Sequence, residues 1–171
     1  MEDAAQEDPV PQPKFAPPAI HEYVLPLGVR LSSKSEYIPI QRLGAGGMGT
    51  VYKARKPPGI LSAIKVMHRD LAKQPAFVER FMQEIAVTAM LESHPNLVKV
   101  KDCGQLDDDT PFYGMEFLEG KALVQVMLVA RRGRGLMEPH TAYVIGEQFC
   151  EALTWLHSQG IVHRDFKPEN V

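Results

Sequence analysis

Four glycines crowded into Gly44-Ala45-Gly46-Gly47-Met48-Gly49, followed at once by Thr50-Val51-Tyr52, constrain this chain more than any other stretch. Gly44, Gly46, Gly49 and Val51 fit the spacing GxGxxGxV. Glycine is required wherever a peptide N–H must come close to a phosphate oxygen with no Cβ in the way. A glycine turn that holds a dinucleotide has to open a helix, whereas the β-branched and aromatic residues after Gly49 continue as a strand. The pattern therefore predicts strand, loop and strand, a flap over phosphate. Met48 shares the tip with Gly47 and is expected to tolerate change.

Around the flap the apolar pattern falls into short β-type runs at 37–43, 50–55 and 61–67, an antiparallel meander. Lys56-Pro57-Pro58-Gly59 marks its second turn, because proline offers no N–H to a ladder. A helix is predicted from Pro75, with Phe77, Phe81, Ile85 and Ala89 as one stripe that ends before His94-Pro95-Asn96. Further strands at 97–103 and 112–117 are split by Asp107-Asp108-Asp109. Beyond Glu119-Gly120 the period becomes helical, first near 122–132 and then from Pro139. There Ala142, Ile145, Phe149, Ala152, Leu153 and Leu156 keep a 3.6-residue stripe, and Gly160 supplies a left-handed cap. Residues 1–36 differ. They are acidic at the start, hold six of the fourteen prolines and little that could form a core, and read as a disordered tail.

Composition excludes several classes. Apolar residues at 44%, charged residues at 23% and a net charge of −2 describe a globular protein with no field for nucleic acid or an anionic membrane. The longest apolar run, 123–130, contains Gln125, and a spanning helix needs about 20 residues. Glu2, Asp3, Glu7 and Asp8, with no apolar stretch behind them, do not make a signal peptide. Cys103 and Cys150 lack metal-ligand spacing and read as reduced thiols, which points to the cytoplasm.

Lys65 stands in Ala63-Ile64-Lys65-Val66, where a period of two sets Ala63 and Lys65 on one face and Ile64 and Val66 on the other. A lone strand lysine is solvated surface; one strand beyond a glycine flap it becomes a ligand for the α and β phosphates. Such a lysine needs an anion to fix it. Glu84, inside the amphipathic helix, is the first candidate and Glu79 the second. The remaining chemistry gathers in His163-Arg164-Asp165-Phe166-Lys167-Pro168-Glu169-Asn170. A second His-Arg-Asp, His68-Arg69-Asp70, is set aside: it follows directly on the Lys65 strand, and Pro75 stands where a metal ligand would be needed. Arg131, Arg132 and Arg134 read as a solvated helix end rather than an anion patch.

The glycine flap, Ala63-Ile64-Lys65, the helix glutamate, His94-Pro95-Asn96-Leu97-Val98 and the 163–170 loop occur in an order that resembles the protein kinase family, specifically its bacterial serine/threonine type. The resemblance covers 37–171. It implies an α+β, protein-kinase-like two-lobe fold: a complete β-rich N-lobe at 37–115, a hinge at 116–119, and the start of a helical C-lobe at 120–171. It implies ATP with magnesium, and adenine bound at the hinge. Met115 gates the rear of the adenine pocket and Glu116, Phe117 and Leu118 follow as hinge residues. Asp165 corresponds to the base that takes the substrate hydroxyl's proton, Lys167 to the group that stabilises the transferred phosphoryl, and Asn170 to a magnesium ligand. Lys167 implies a serine or threonine acceptor on a protein substrate. Arg164 corresponds to an anchor for a phosphorylated loop, and Phe166 stands where leucine is usual.

Three functions stay open: phosphoryl transfer from ATP to protein serine or threonine, a nucleotide- or partner-binding kinase remnant without catalysis, and a small-molecule phosphotransferase. The second is supported because neither Asp-Phe-Gly nor Ala-Pro-Glu occurs after the loop within the 171 residues. Lys167 and the glycine flap argue against the third. The isolated chain is expected to be inactive, and the stripe on the Pro139 helix to leave it sticky or in need of a partner.

Overall fold

The computed structural model describes residues 24–32, 35–90, 94–133, 135, 137–163 and 165–170. Its centre is an antiparallel sheet of β1 (Ile38–Ala45), β2 (Gly49–Lys56), β3 (Ile60–Met67), β4 (Val100–Gln105) and β5 (Pro111–Glu116) in the order β1-β2-β3-β5-β4. The first three strands form the expected meander. β5 then lies between β3 and β4, leaving β4 at the edge. The acidic turn that joins them places Asp109 at φ 62°, a left-handed conformation that aspartate tolerates better than most residues. Gly59 N–H donates to the Lys56 carbonyl at 2.8 Å and closes the β2–β3 turn.

Strand alternation sorts the side chains into two cores. Tyr52, Ala54, Ile64, Val66 and Phe112 pack on one face with Leu25, Tyr37 and Leu106. On the other, Met67, Val100 and Tyr113 meet Leu71 of α1 (Arg69–Ala72) and Phe81 and Ile85 of α2 (Pro75–Met90). Phe77 is half-buried beside them, while Ala89 is exposed, so the α2 stripe ends one position earlier than its spacing suggests.

The boundary of the N-terminal tail needs correction. Leu25 is only 5% exposed, and its N–H donates to the Tyr52 hydroxyl at 3.1 Å. Gly28 N–H donates to the Pro39 carbonyl and Leu31 N–H to the Tyr37 carbonyl, both at 2.7 Å. Two leucines in a proline-bearing stretch give no periodicity to read. They nonetheless cover the first core, and burying one leucine is worth about 1.5–3 kcal/mol. Residues 1–23 of that tail lie outside the described residues.

After the sheet come α3 (Leu123–Arg132), with no fully buried residue, and α4 (Pro139–Ser158). The Glu138 carboxylate caps α4 by accepting from His140 N–H at 3.0 Å and Thr141 N–H at 2.8 Å, and these bonds hold its carboxyl below the usual range. At the other end Gly160, at φ 73°, donates to His157 while Ile161 N–H reaches back to Leu156, a Schellman closure. Ala152 and Leu156 are buried, Ile145, Phe149 and Leu153 half-buried, and Ala142 exposed. Asn96 Nδ2 donates to the Gln148 carbonyl at 3.3 Å and to Glu151 Oε2 at 3.1 Å, with the His94 ring 5.8 Å from Trp155, so the 94–96 turn ties α4 to the sheet region.

Gly114 has no room for a side chain: a Cβ there would run into the Tyr37 hydroxyl and lie 2.6 Å from Asp102 Oδ1. Those two atoms are hydrogen-bonded at 2.8 Å, and Lys56 Nζ holds Asp102 Oδ2 at 2.7 Å. Burial, reinforced by Asp102, pushes the Tyr37 hydroxyl well above its usual range, so it stays a donor. Gly114→Val should destabilise the fold by about 1–3 kcal/mol through overpacking, with a further loss as Tyr37 leaves its acceptor. A thermal midpoint unchanged from the parent would contradict this packing.

Candidate active site

The register of the sheet decides which side chains meet. Val51 pairs with Lys65 and Lys65 with Tyr113; one row along, Ala63 pairs with Met115. Val51, Ala63, Lys65, Tyr113 and Met115 therefore share the face on which α2 packs. Lys65 Nζ lies 2.6 Å from Glu84 Oε1, and the Tyr113 hydroxyl donates to the same oxygen at 2.7 Å. The two charged side chains are 20% and 32% exposed, open enough to meet a solute. Of the two carboxylates considered for Lys65, the structure brings Glu84 to it; Glu79 is exposed on α2. Burial first, then the Glu84 charge, push the Tyr113 hydroxyl far above its usual range and keep it protonated. Tyr113 escaped sequence reasoning because its neighbour Lys65 is set by strand order, which no local pattern encodes.

The glycines divide by what surrounds them. At Gly49 a Cβ would collide with the Val66 carbonyl, so the β2–β3 pairing itself demands glycine. A Cβ at Gly44 or Gly47 would meet nothing within 4 Å, and one at Gly46 only the Gly49 carbonyl at 4.0 Å. The chain's own packing does not explain the bare backbone there. Gly46 N–H donates to the Gly49 carbonyl at 2.9 Å and closes the tip. Met48 is partly buried against the second core, which argues against free variation at that position.

Met115 is half-buried against the same core. Glu116 N–H donates to the Lys99 carbonyl at 3.0 Å, and its Oε1 accepts from Lys99 N–H at 2.9 Å. Phe117 lies under Lys53, 4.3 Å from Nζ to ring centre, and Leu118 is 62% exposed.

A second cluster follows α4. Asp165 Oδ1 lies 2.9 Å from Lys167 Nζ, and Asn170 Nδ2 donates to both the backbone carbonyl and Oδ2 of Asp165 at 2.9 Å. Lys167 first, and Asn170 next, hold the Asp165 carboxyl below the usual aspartate range. With its nitrogen engaged, Asn170 has in Oδ1 an acceptor of the hard oxygen type that magnesium takes. Phe166 meets Phe149 of α4 edge-to-face at 5.0 Å and His163 at 6.0 Å, which seats the loop on the helix. Among the described residues no group of three His, Cys, Asp or Glu side chains forms a metal site. Arg131 and Arg132 are exposed in the last turn of α3; Arg134 and Arg164 lie outside the described residues.

A family model for the protein kinase domain matches residues 37–171. The chain belongs to the protein kinase family. Serine/threonine-protein kinase pkn2 of Myxococcus xanthus is 40% identical over 133 residues, covering 77% of this chain and 15% of its own length. Serine/threonine-protein kinase PrkC of Bacillus subtilis is 34% identical over 148 residues, 85% of this chain and 21% of the relative. The crystal structure of the Mycobacterium tuberculosis PknI kinase domain superposes with a TM-score of 0.68 at 32% identity, over 87% of this chain and 58% of that one. The chain thus spans 15–21% of the length of these curated relatives and over half of a solved kinase domain. In kinase terms the sheet with α2 is the N-lobe, and α3, α4 and the 163–170 loop begin the C-lobe. Among the described residues no helix is long and apolar enough to cross a membrane. The family uses ATP and a divalent metal.

Proposed function

We propose that these residues form the nucleotide-binding lobe and catalytic loop of a serine/threonine protein kinase, which moves the γ-phosphoryl of ATP to a Ser or Thr hydroxyl of a protein. The observation that carries this reading is Lys65, held at 2.6 Å by Glu84 on the face beside a glycine loop whose bare backbone the fold itself does not require. A fixed ammonium next to accessible peptide N–H groups suits a polyphosphate. In this reading Lys65 binds the α and β phosphates under the 44–49 loop, and Val51, Ala63 and Met115 enclose adenine beside Glu116 and Leu118. Asp165 accepts the hydroxyl proton, Lys167 stabilises the moving phosphoryl, and Asn170 Oδ1 holds magnesium. Bound magnesium supplies charge neutralisation at the phosphates. ATP as donor assigns these residues to the cytoplasm. Serine or threonine as acceptor is supported by Lys167 and by the names of the relatives.

Phosphoamino-acid analysis of the autophosphorylated full-length protein should give phosphoserine and phosphothreonine. Phosphotyrosine as the main product would refute the acceptor assignment, and absence of any protein phosphorylation alongside phosphorylation of a small molecule would restore the phosphotransferase alternative.

A further inference from the structure

His68, set aside in the sequence as part of a misleading His-Arg-Asp, is 6% exposed and touches the glycine loop twice. Its ring Nε2 lies 2.9 Å from the Gly46 carbonyl, and its backbone N–H donates to the Met48 carbonyl at 3.0 Å. The His68 carbonyl in turn accepts from Leu71 and Ala72, each at 3.0 Å, so the first turn of α1 fixes the residue from behind. A carbonyl can only accept, so Nε2 must carry the proton in this contact.

The placement gives the contact a direction. His68 lines a small cavity with Thr50, Tyr52 and Val66, on the face of the sheet opposite Val51 and Lys65. The 46–47 peptide is trans, the cis bond among the described residues being Pro57–Pro58, so its C=O and N–H point in opposite directions. We propose that His68 is a positioning residue for the glycine loop: by drawing the Gly46 carbonyl toward the outer face, it turns the Gly47 N–H toward the Lys65 face, where a nucleotide phosphate is bound. The residue touches no substrate itself. A Cβ built at Gly44 or Gly47 would meet nothing within 4 Å, so no side-chain packing at those positions fixes the 46–47 peptide, and the His68 ring is the side chain that holds its carbonyl.

The inference rests on the kinase reading for its nucleotide readout alone, and two further readouts are independent of it. In the full-length protein, His68→Phe keeps the ring and removes the donor, whereas His68→Gln keeps an amide donor at similar reach. The Phe variant should raise KM for ATP about three- to tenfold, the weight of one hydrogen bond, with kcat changed less and KM for the protein substrate unchanged. Hydrogen exchange in the 44–49 segment should speed up by a similar factor, and His68→Gln should restore both. In the parent, nitrogen-15 spectra should show His68 Nε2 as the protonated ring nitrogen, a result that needs no variant. An unprotonated Nε2, or loop exchange and KM for ATP within twofold of the parent in His68→Phe, would overturn the latch. So would an equal loss in both variants, which would mark a purely structural role. Unaltered ATP binding in Lys65→Ala would instead overturn the kinase reading and leave the exchange and tautomer results standing.

Discussion

Lys65→Ala lowers kcat/KM for phosphotransfer by on the order of 10²–10³ in the full-length protein, while the folded state survives. In the proposed function the lysine is the cation that meets the nucleotide, and Glu84 Oε1 holds it at 2.6 Å. Alanine removes that charge and leaves Glu84 with the Tyr113 hydroxyl and with water, since its side chain is 32% exposed. The apolar contacts of Phe81, Ile85, Met67 and Val100 stay as they were, so α2 keeps its seat. The loss should therefore appear in activity and ATP binding with a thermal midpoint close to the parent's. Activity within a factor of about two of the parent would remove Lys65 from the mechanism. Arginine should not rescue, because its planar fork is larger than the ammonium that reaches the Glu84 oxygen shared with Tyr113.

Asp165→Asn lowers kcat by on the order of 10²–10⁴, the range of a lost general base, with KM for ATP changed little. The aspartate is exposed, takes no part in either core, and is held by Lys167 and Asn170 from the same loop. Both partners keep its carboxyl ionised below the usual aspartate range. The sign follows: a base with a depressed pKa stays deprotonated further into acid, so kcat/KM should show no acid limb from Asp165 near pH 4, and any limb it causes lies lower. An unchanged kcat in the asparagine variant would move the base elsewhere.

The legibility of this chain divides by range. Elements set by local spacing were readable: the β1–β2–β3 meander, the Pro75 and Pro139 helix starts, and the Gly160 cap depend on residues within a few positions of each other. The pairing of Lys65 with Glu84 was readable because one helix offered two carboxylates to the strand lysine. What was hidden depends on pairing across distance. The insertion of β5 between β3 and β4 brings Tyr113 to Lys65, and Leu25 reaches Tyr52 across 27 positions. The placement of His68 was hidden for a related reason: burial beneath Gly46 depends on how the flap folds back over the end of β3, which the letters His-Arg-Asp do not encode. Gly114 likewise looks like an ordinary strand glycine until Tyr37 and Asp102 are placed above it.

The single oxygen shared by Lys65 and Tyr113 bears on how this kinase would respond to inhibitors. Any motion that carries α2 away from the sheet has to break two short hydrogen bonds to Glu84 Oε1 rather than one. The displaced-helix population is rarer by the weight of the tyrosine contact, about 1 kcal/mol or roughly fivefold. A compound that selects that displaced state pays the same factor in apparent affinity, while one that accepts the helix where it stands does not. Selectivity between these two inhibitor classes is thus written into a strand residue that neither of them needs to touch.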